Sequence, residues 1–184
     1  MIRCILNIVI LFLLVFVLYS CKNNDKIKPD QVVRHKVAQK NINEPLEEAN
    51  RNLLIQEAGR INDYIENHQL NVVQTGTGLR YQIHNQGEGE LVKEGDVVTL
   101  EYEVRLLDGN LIYSSEKDGD KTFLVGRGGV ESGLEEAILK LRKNSVATLI
   151  LPAHLAHGLT GDGNRIPSRA TLVYEIKVVD KIEK

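Results

Sequence analysis

Val98-Thr99-Leu100-Glu101-Tyr102-Glu103-Val104-Arg105-Leu106 alternates apolar and polar residues without a break. Side chains on a strand point alternately to opposite faces, so Val98, Leu100, Tyr102, Val104 and Leu106 form a buried face. Thr99, Glu101, Glu103 and Arg105 form a wet one. A sheet with one wet face is antiparallel rather than doubly wound. Just downstream, Asp108-Gly109 supplies a turn and Leu111 to Ser114 a short returning strand. Upstream, Leu79, Tyr81 and Ile83 alternate with Arg80, Gln82 and His84. Toward the C-terminus, Val146 to Leu151 is nearly continuous in apolar residues, and Ala170, Leu172, Tyr174, Ile176 and Val178 share one face of a last strand. One helix interrupts these strands. Ser132-Gly133-Leu134-Glu135 reads as a capping box, Leu134, Ala137, Ile138 and Leu141 follow at helical spacing, and Lys140, Arg142 and Lys143 suit the last turn. The pattern predicts an α+β domain over residues 79–184, an antiparallel twisted sheet wrapped around one short amphipathic helix of at most three turns.

The N-terminus is of another kind. Seventeen of the first twenty residues are apolar, with Arg3 ahead of a run from Ile5 to Tyr19 broken only by Asn7. This is the pattern of a secretory signal over residues 1–20, and the run is short of the roughly 20 residues that cross a bilayer. It ends in Leu18-Tyr19-Ser20-Cys21, which resembles a bacterial lipobox, and that resemblance implies acylation of Cys21 and a lipid anchor. Cys4 leaves with the signal, so no disulfide is expected. Residues 21–43 are polar and read as a tether. Asn43-Glu44-Pro45 then opens a separate N-terminal helix over residues 44–70, with Leu54, Ala58, Ile61 and Ile65 in one apolar stripe that is expected to pack on the domain after it.

Composition removes several functions. The formal net charge is −2 and the chain holds no Trp, three Phe and six Tyr, with Phe12, Phe16 and Tyr19 inside the leader. Neither a basic phosphate-binding surface nor a stacking platform for bases can be assembled, so nucleic acid is not a partner. His154 and His157 lack a third ligand at zinc spacing, and Asp118-Gly119-Asp120 and Asp162-Gly163-Asn164 read as exposed turns rather than calcium loops. No metal and no cofactor are expected.

A denser set of residues carries a family resemblance: Tyr102, Leu107-Asp108-Gly109, Ser114-Ser115, Phe123, Val125-Gly126, Val130, Gly133, Leu151-Pro152-Ala153-His154-Leu155-Ala156-His157-Gly158, Gly161, Ile166-Pro167 and Ala170-Thr171-Leu172-Val173-Tyr174. Together they resemble an FKBP-type peptidyl-prolyl cis-trans isomerase domain over about residues 79–182. Gly76-Thr77-Gly78-Leu79-Arg80-Tyr81 and Val130-Glu131-Ser132-Gly133-Leu134 further resemble the gliding-motility-associated lipoproteins of Bacteroidota.

The resemblance implies a pocket for Pro-containing polypeptides, with Tyr102, His157 and Tyr174 in the catalytic positions and Ile112, Tyr113, Val130, Glu131, Leu134 and Ile166 lining it. It also marks departures. Ile112 stands where the family has Phe, Tyr113 where it has Asp, Leu134 where Trp forms the floor, and Lys121 where a further Phe closes the wall. His157 replaces a Tyr that donates to the substrate carbonyl, and Glu131 an aliphatic residue. Two readings follow. One is a lipid-anchored isomerase facing the periplasm that assists folding of extracytoplasmic proteins. The other is a non-catalytic prolyl-binding or assembly module among cell-envelope or motility-machinery proteins.

Overall fold

The computed structural model describes residues 29–182, with side chains from residue 44 onward; the leader, Cys21 and the first part of the tether lie outside the described residues. Internal contacts divide the chain between Asn50 and Arg51. The described part of the first unit is helical, and the sheet, both apolar cores and the pocket belong to the second. Among the described residues no helix is long and apolar enough to cross a membrane.

Helix α1 spans Pro29–Asn67, so residues 29–43, expected as tether, are helical. The expectation rested on missing apolar periodicity, but Gln, Lys and Ala are good helix formers whether or not a stripe is present. Pro29, not Pro45, stands in the first turn, where no hydrogen bond is lost; Pro45 lies inside the helix. At the other end Gln69 adopts φ 54°, with Gln69 N–H donating to the Glu66 carbonyl (3.1 Å) and Leu70 N–H to the Ile65 carbonyl (3.0 Å). This is a Schellman cap, which satisfies the last carbonyls and stops the helix.

The strands are β1 (Val73–Gln74), β2 (Arg80–Asn85), β3 (Glu88–Leu91), β4 (Val97–Leu106), β5 (Leu111–Ser114), β6 (Lys121–Leu124), β7 (Arg142–Lys143), β8 (Val146–Leu151) and β9 (Leu172–Ile182). The main sheet runs β1-β2-β8-β9-β4-β5, with β6 also on β4, and β3 pairs with β7; every pairing is antiparallel. Val98, Leu100, Tyr102 and Val104 of β4 are buried and Glu101 is exposed, as the alternation predicts. The single turn α2 (Ser115–Asp118) follows β5, and α3 (Ser132–Ile138) lies on the apolar face with Leu134, Ala137 and Ile138 buried. Full burial of side chains such as Leu134 and Ile138 stabilises by about 1.5–3 kcal/mol each.

α3 makes about two turns, within the three at most expected, and it has no capping box. Glu131 is the N-cap residue without a side-chain cap bond, while Ser132 Oγ donates to the Leu155 carbonyl (3.4 Å). The Glu135 carboxylate instead accepts from Gly126 N–H (2.7 Å) and Gly128 N–H (3.1 Å) and folds the glycine-rich loop against the helix. A local motif is overridden because the loop offers two otherwise unpaired donors. The basic residues beyond Leu139 belong to a turn and to β7, not to the helix.

β8 reads as a nearly continuous apolar run, broken by Thr148, because both of its faces are covered. Leu149 and Leu151 join the main core with α3, whereas Ile150 and its β9 partner Val173 face the other way onto Ile61 of α1. The expected packing of the helix on the domain thus holds at Ile61 and Ile65; Leu54 remains 51% exposed. Glu57 accepts from Ala153 N–H (2.7 Å) and Thr171 Oγ1 (2.8 Å), which pins the helix to the loop after β8 and to the start of β9.

Candidate functional site

The register carries Leu149, Tyr174, Val104 and Tyr113 side by side across β8, β9, β4 and β5 on the helix-bearing face. At the β4–β5 end this row opens into a hollow of about 300 Å³, lined by Tyr102, Val104, Tyr113, Asp118, Lys121, Glu131, His157, Asp162, Ile166 and Tyr174. Six expected residues therefore meet there: Tyr102, Tyr113, Glu131, His157, Ile166 and Tyr174. Val130 lines an adjoining hollow of about 450 Å³ with Gly128, Gly129, Ser132 and Ala156, and the two hollows share Lys121, Glu131 and His157. Leu134 is fully buried in the main core and Ile112 is half-buried against it, so neither forms the wall of the first hollow.

Glu131 sits at the centre. Its side chain is 8% exposed, and Oε1 accepts from the Tyr174 hydroxyl (2.6 Å) and from His157 Nε2–H (3.0 Å). Oε2 has no hydrogen-bond donor and faces Lys121 Nζ at 3.6 Å. Burial pushes this carboxyl up, but Lys121, the Tyr174 hydroxyl and its own backbone N–H outweigh that and hold it below the usual carboxylate range. The same contact, added to burial, drives the Tyr174 hydroxyl far above the ordinary tyrosine range, so it remains a donor. The Lys121 ammonium lies 5.2 Å from the Tyr102 ring centre and 5.6 Å from that of Tyr174, within cation–π reach of both.

The rim is a second polar group. The Tyr113 hydroxyl donates to Asp162 Oδ2, and Asp162 Oδ1 accepts from Asn164 N–H (2.9 Å) and Ile166 N–H (2.8 Å). Although burial works against it, this bonding lowers the Asp162 carboxyl to about 2. Arg165 stacks over Tyr113 at 4.6 Å, pairs with Asp118 Oδ1 at 3.2 Å and donates to the Ile112 carbonyl (3.0 Å). Asp162-Gly163-Asn164 is a turn, as read, but it also supplies a pocket wall. Val104, Asp118 and Asp162 were missed as site residues. Val104 sits on the apolar face of β4 next to Tyr102 in the alternation, whereas Asp118 and Asp162 read in the sequence only as parts of exposed turns.

His154 Nε2 bonds the Thr77 carbonyl (2.8 Å), away from His157 and its partner Glu131. Among the described residues no three His, Cys, Asp or Glu side chains are grouped to hold a metal ion. The lining of the hollow includes no Ser or Cys.

The protein described as "Probable FKBP-type peptidyl-prolyl cis-trans isomerase FkpA" of Neisseria meningitidis serogroup B is 40% identical over 106 residues, 57% of this chain and 38% of that protein. The FKBP-type 22 kDa peptidyl-prolyl cis-trans isomerase of Escherichia coli K12 is 36% identical over 107 residues, 58% of this chain and 51% of that one. The match thus spans 38% and 51% of the length of these two relatives. The crystal structure of FkpA from Escherichia coli superposes with a TM-score of 0.59 at 24% identity, covering 93% of this chain and 81% of the other, which supports the fold. The model of the FKBP-type peptidyl-prolyl cis-trans isomerase family matches residues 88–179, the stretch that contains β4, α3, the pocket and most of β9, and with it this chain belongs to that family.

Proposed function

We propose that the chain is a peptidyl-prolyl cis-trans isomerase, held at the cell envelope by acyl chains on Cys21, which assists folding of extracytoplasmic proteins and serves gliding motility. The observation that carries the catalytic reading is the hollow itself, walled by Tyr102, Val104, Ile166 and Tyr174. Rotation about an X–Pro bond needs no nucleophile. It must overcome a barrier of ~18–20 kcal/mol that arises from amide resonance. Twisting the bond uncouples nitrogen from carbonyl and reduces charge separation, so an apolar wall favours the twisted form over the planar one. Tyr102, Val104 and Ile166 supply that wall.

The ammonium and carboxylate inside the hollow work against this gain. The expected activity on a Leu-Pro peptide is therefore measurable but well below that of aromatic-lined members. A protease-free isomerisation assay on the full chain checks it: rates equal to aromatic-lined members would overturn the weak-catalyst reading. The second reading, a prolyl-binding module without catalysis, is favoured by one observation. The His157 Nε2–H and the Tyr174 hydroxyl are both engaged by Glu131 rather than free for a substrate carbonyl. Binding of the peptide with no acceleration of its isomerisation would decide for that module.

A further inference from the structure

Two features of the hollow are unaccounted for by apolar solvation of a prolyl bond. The first is an ammonium, Lys121 Nζ, held over two tyrosine rings and 3.6 Å from a buried carboxylate. The second is the Glu131 oxygen that faces it, buried and without a hydrogen-bond donor. The other acidic groups of the lining are differently placed: Asp162 accepts from Tyr113, Asn164 and Ile166, and Asp118 pairs with Arg165. Rings, carboxylate and open acceptor together form a receptor for a cation, and Lys121 occupies it from within the chain.

A prolyl ring entering this hollow needs the space above Tyr102 and Tyr174. Lys121 is 27% exposed on a flexible stem and also borders the neighbouring hollow beside Gly128 and Gly129, so its ammonium can withdraw there. Once it withdraws, Glu131 and the rings are left without their cation, and the remaining charged lining is Asp118, Glu131 and Asp162. Resting on the prolyl-binding reading above, we propose that the pocket selects prolyl bonds flanked by a basic residue, Lys or Arg, whose cation takes the place of Lys121 against Glu131. Lys121 and Glu131 are then the residues that set specificity, and an acidic neighbour of proline is rejected by the carboxylates.

The test is an NMR titration of the full chain in detergent with three peptides that differ only before proline: Lys-Pro, Leu-Pro and Glu-Pro. At low salt the Lys-Pro peptide is expected to bind about five- to tenfold more tightly than Leu-Pro, and Glu-Pro more weakly than either, with the spread narrowing at high salt. Lys121→Ala should widen the Lys-Pro advantage, because the internal competitor is gone; Glu131→Gln should shrink it. The wild-type series stands without either variant should one fail to fold. Leu-Pro or Glu-Pro binding as tightly as Lys-Pro would overturn the specificity while leaving prolyl recognition intact. Binding of none of the three would overturn prolyl recognition itself.

Discussion

Glu57 and the side chain of Glu131 both lie largely out of water, on opposite faces of one sheet, and their partners differ in kind. Glu57 feels the charge of the buried Arg80 guanidinium and accepts two hydrogen bonds that tie α1 to the loop after β8 and to the start of β9. Glu131 also accepts two bonds, but its other oxygen has no hydrogen-bond donor and faces the half-buried Lys121 at 3.6 Å. A buried carboxylate whose donors are backbone and hydroxyl groups of the fold serves cohesion. One whose last partner can leave serves exchange with a ligand.

The largest effect that separates the two regions is expected at Glu57. Glu57→Ala removes the acceptor of the buried Ala153 N–H and Thr171 hydroxyl and should lower stability by about 2–4 kcal/mol in a urea titration. Glu131→Gln, which keeps an acceptor for Tyr174, should cost about 1 kcal/mol or less. Equal losses at both sites would erase the contrast. Next comes Gly161→Ala, in the loop that brings Asp162 and Ile166 to the pocket. Gly161 has φ +71°, and a Cβ there would overlap the Ile166 carbonyl oxygen and crowd Pro167. A cost of about 1–3 kcal/mol is expected, with loss of peptide binding under conditions where the sheet is still folded. Unchanged binding would show that the rim does not shape the hollow.

The smallest effect is a pH dependence. The Asp162 carboxyl is depressed in the folded chain to about 2. Its contribution is therefore fully present above the unfolded value near 4 and is lost as pH falls through about 2. Stability of wild type should fall between about pH 4 and pH 2 more steeply than that of Asp162→Asn, read from acid titrations followed by circular dichroism. Parallel curves would mean that the Tyr113, Asn164 and Ile166 contacts do not favour the ionised form.

How much of this was legible in the sequence follows from how far each signal reaches. The alternation in β4 and the stripe Leu134, Ala137, Ile138 specify which face each residue presents, and those faces are the buried ones. The capping box was legible too, and wrong, because Glu135 found better donors at Gly126 and Gly128. The start of α1 was missed since helix propensity without an apolar stripe leaves no periodic trace. At the site, Tyr102, Tyr113, Glu131, His157, Ile166 and Tyr174 line one hollow while Ile112 and Leu134 do not, and Asp118 and Asp162 have their places through Arg165 and Tyr113.

By itself, then, the sequence determined the antiparallel sheet and the short helix across it, because strand and helix periods are set by neighbouring residues. Tertiary structure alone decided that Glu131, Lys121, His157 and Tyr174, from four separate segments, would share one buried charge site. The strength of a charge interaction depends on distance and on exclusion of water, and both are settled only when those segments pack together.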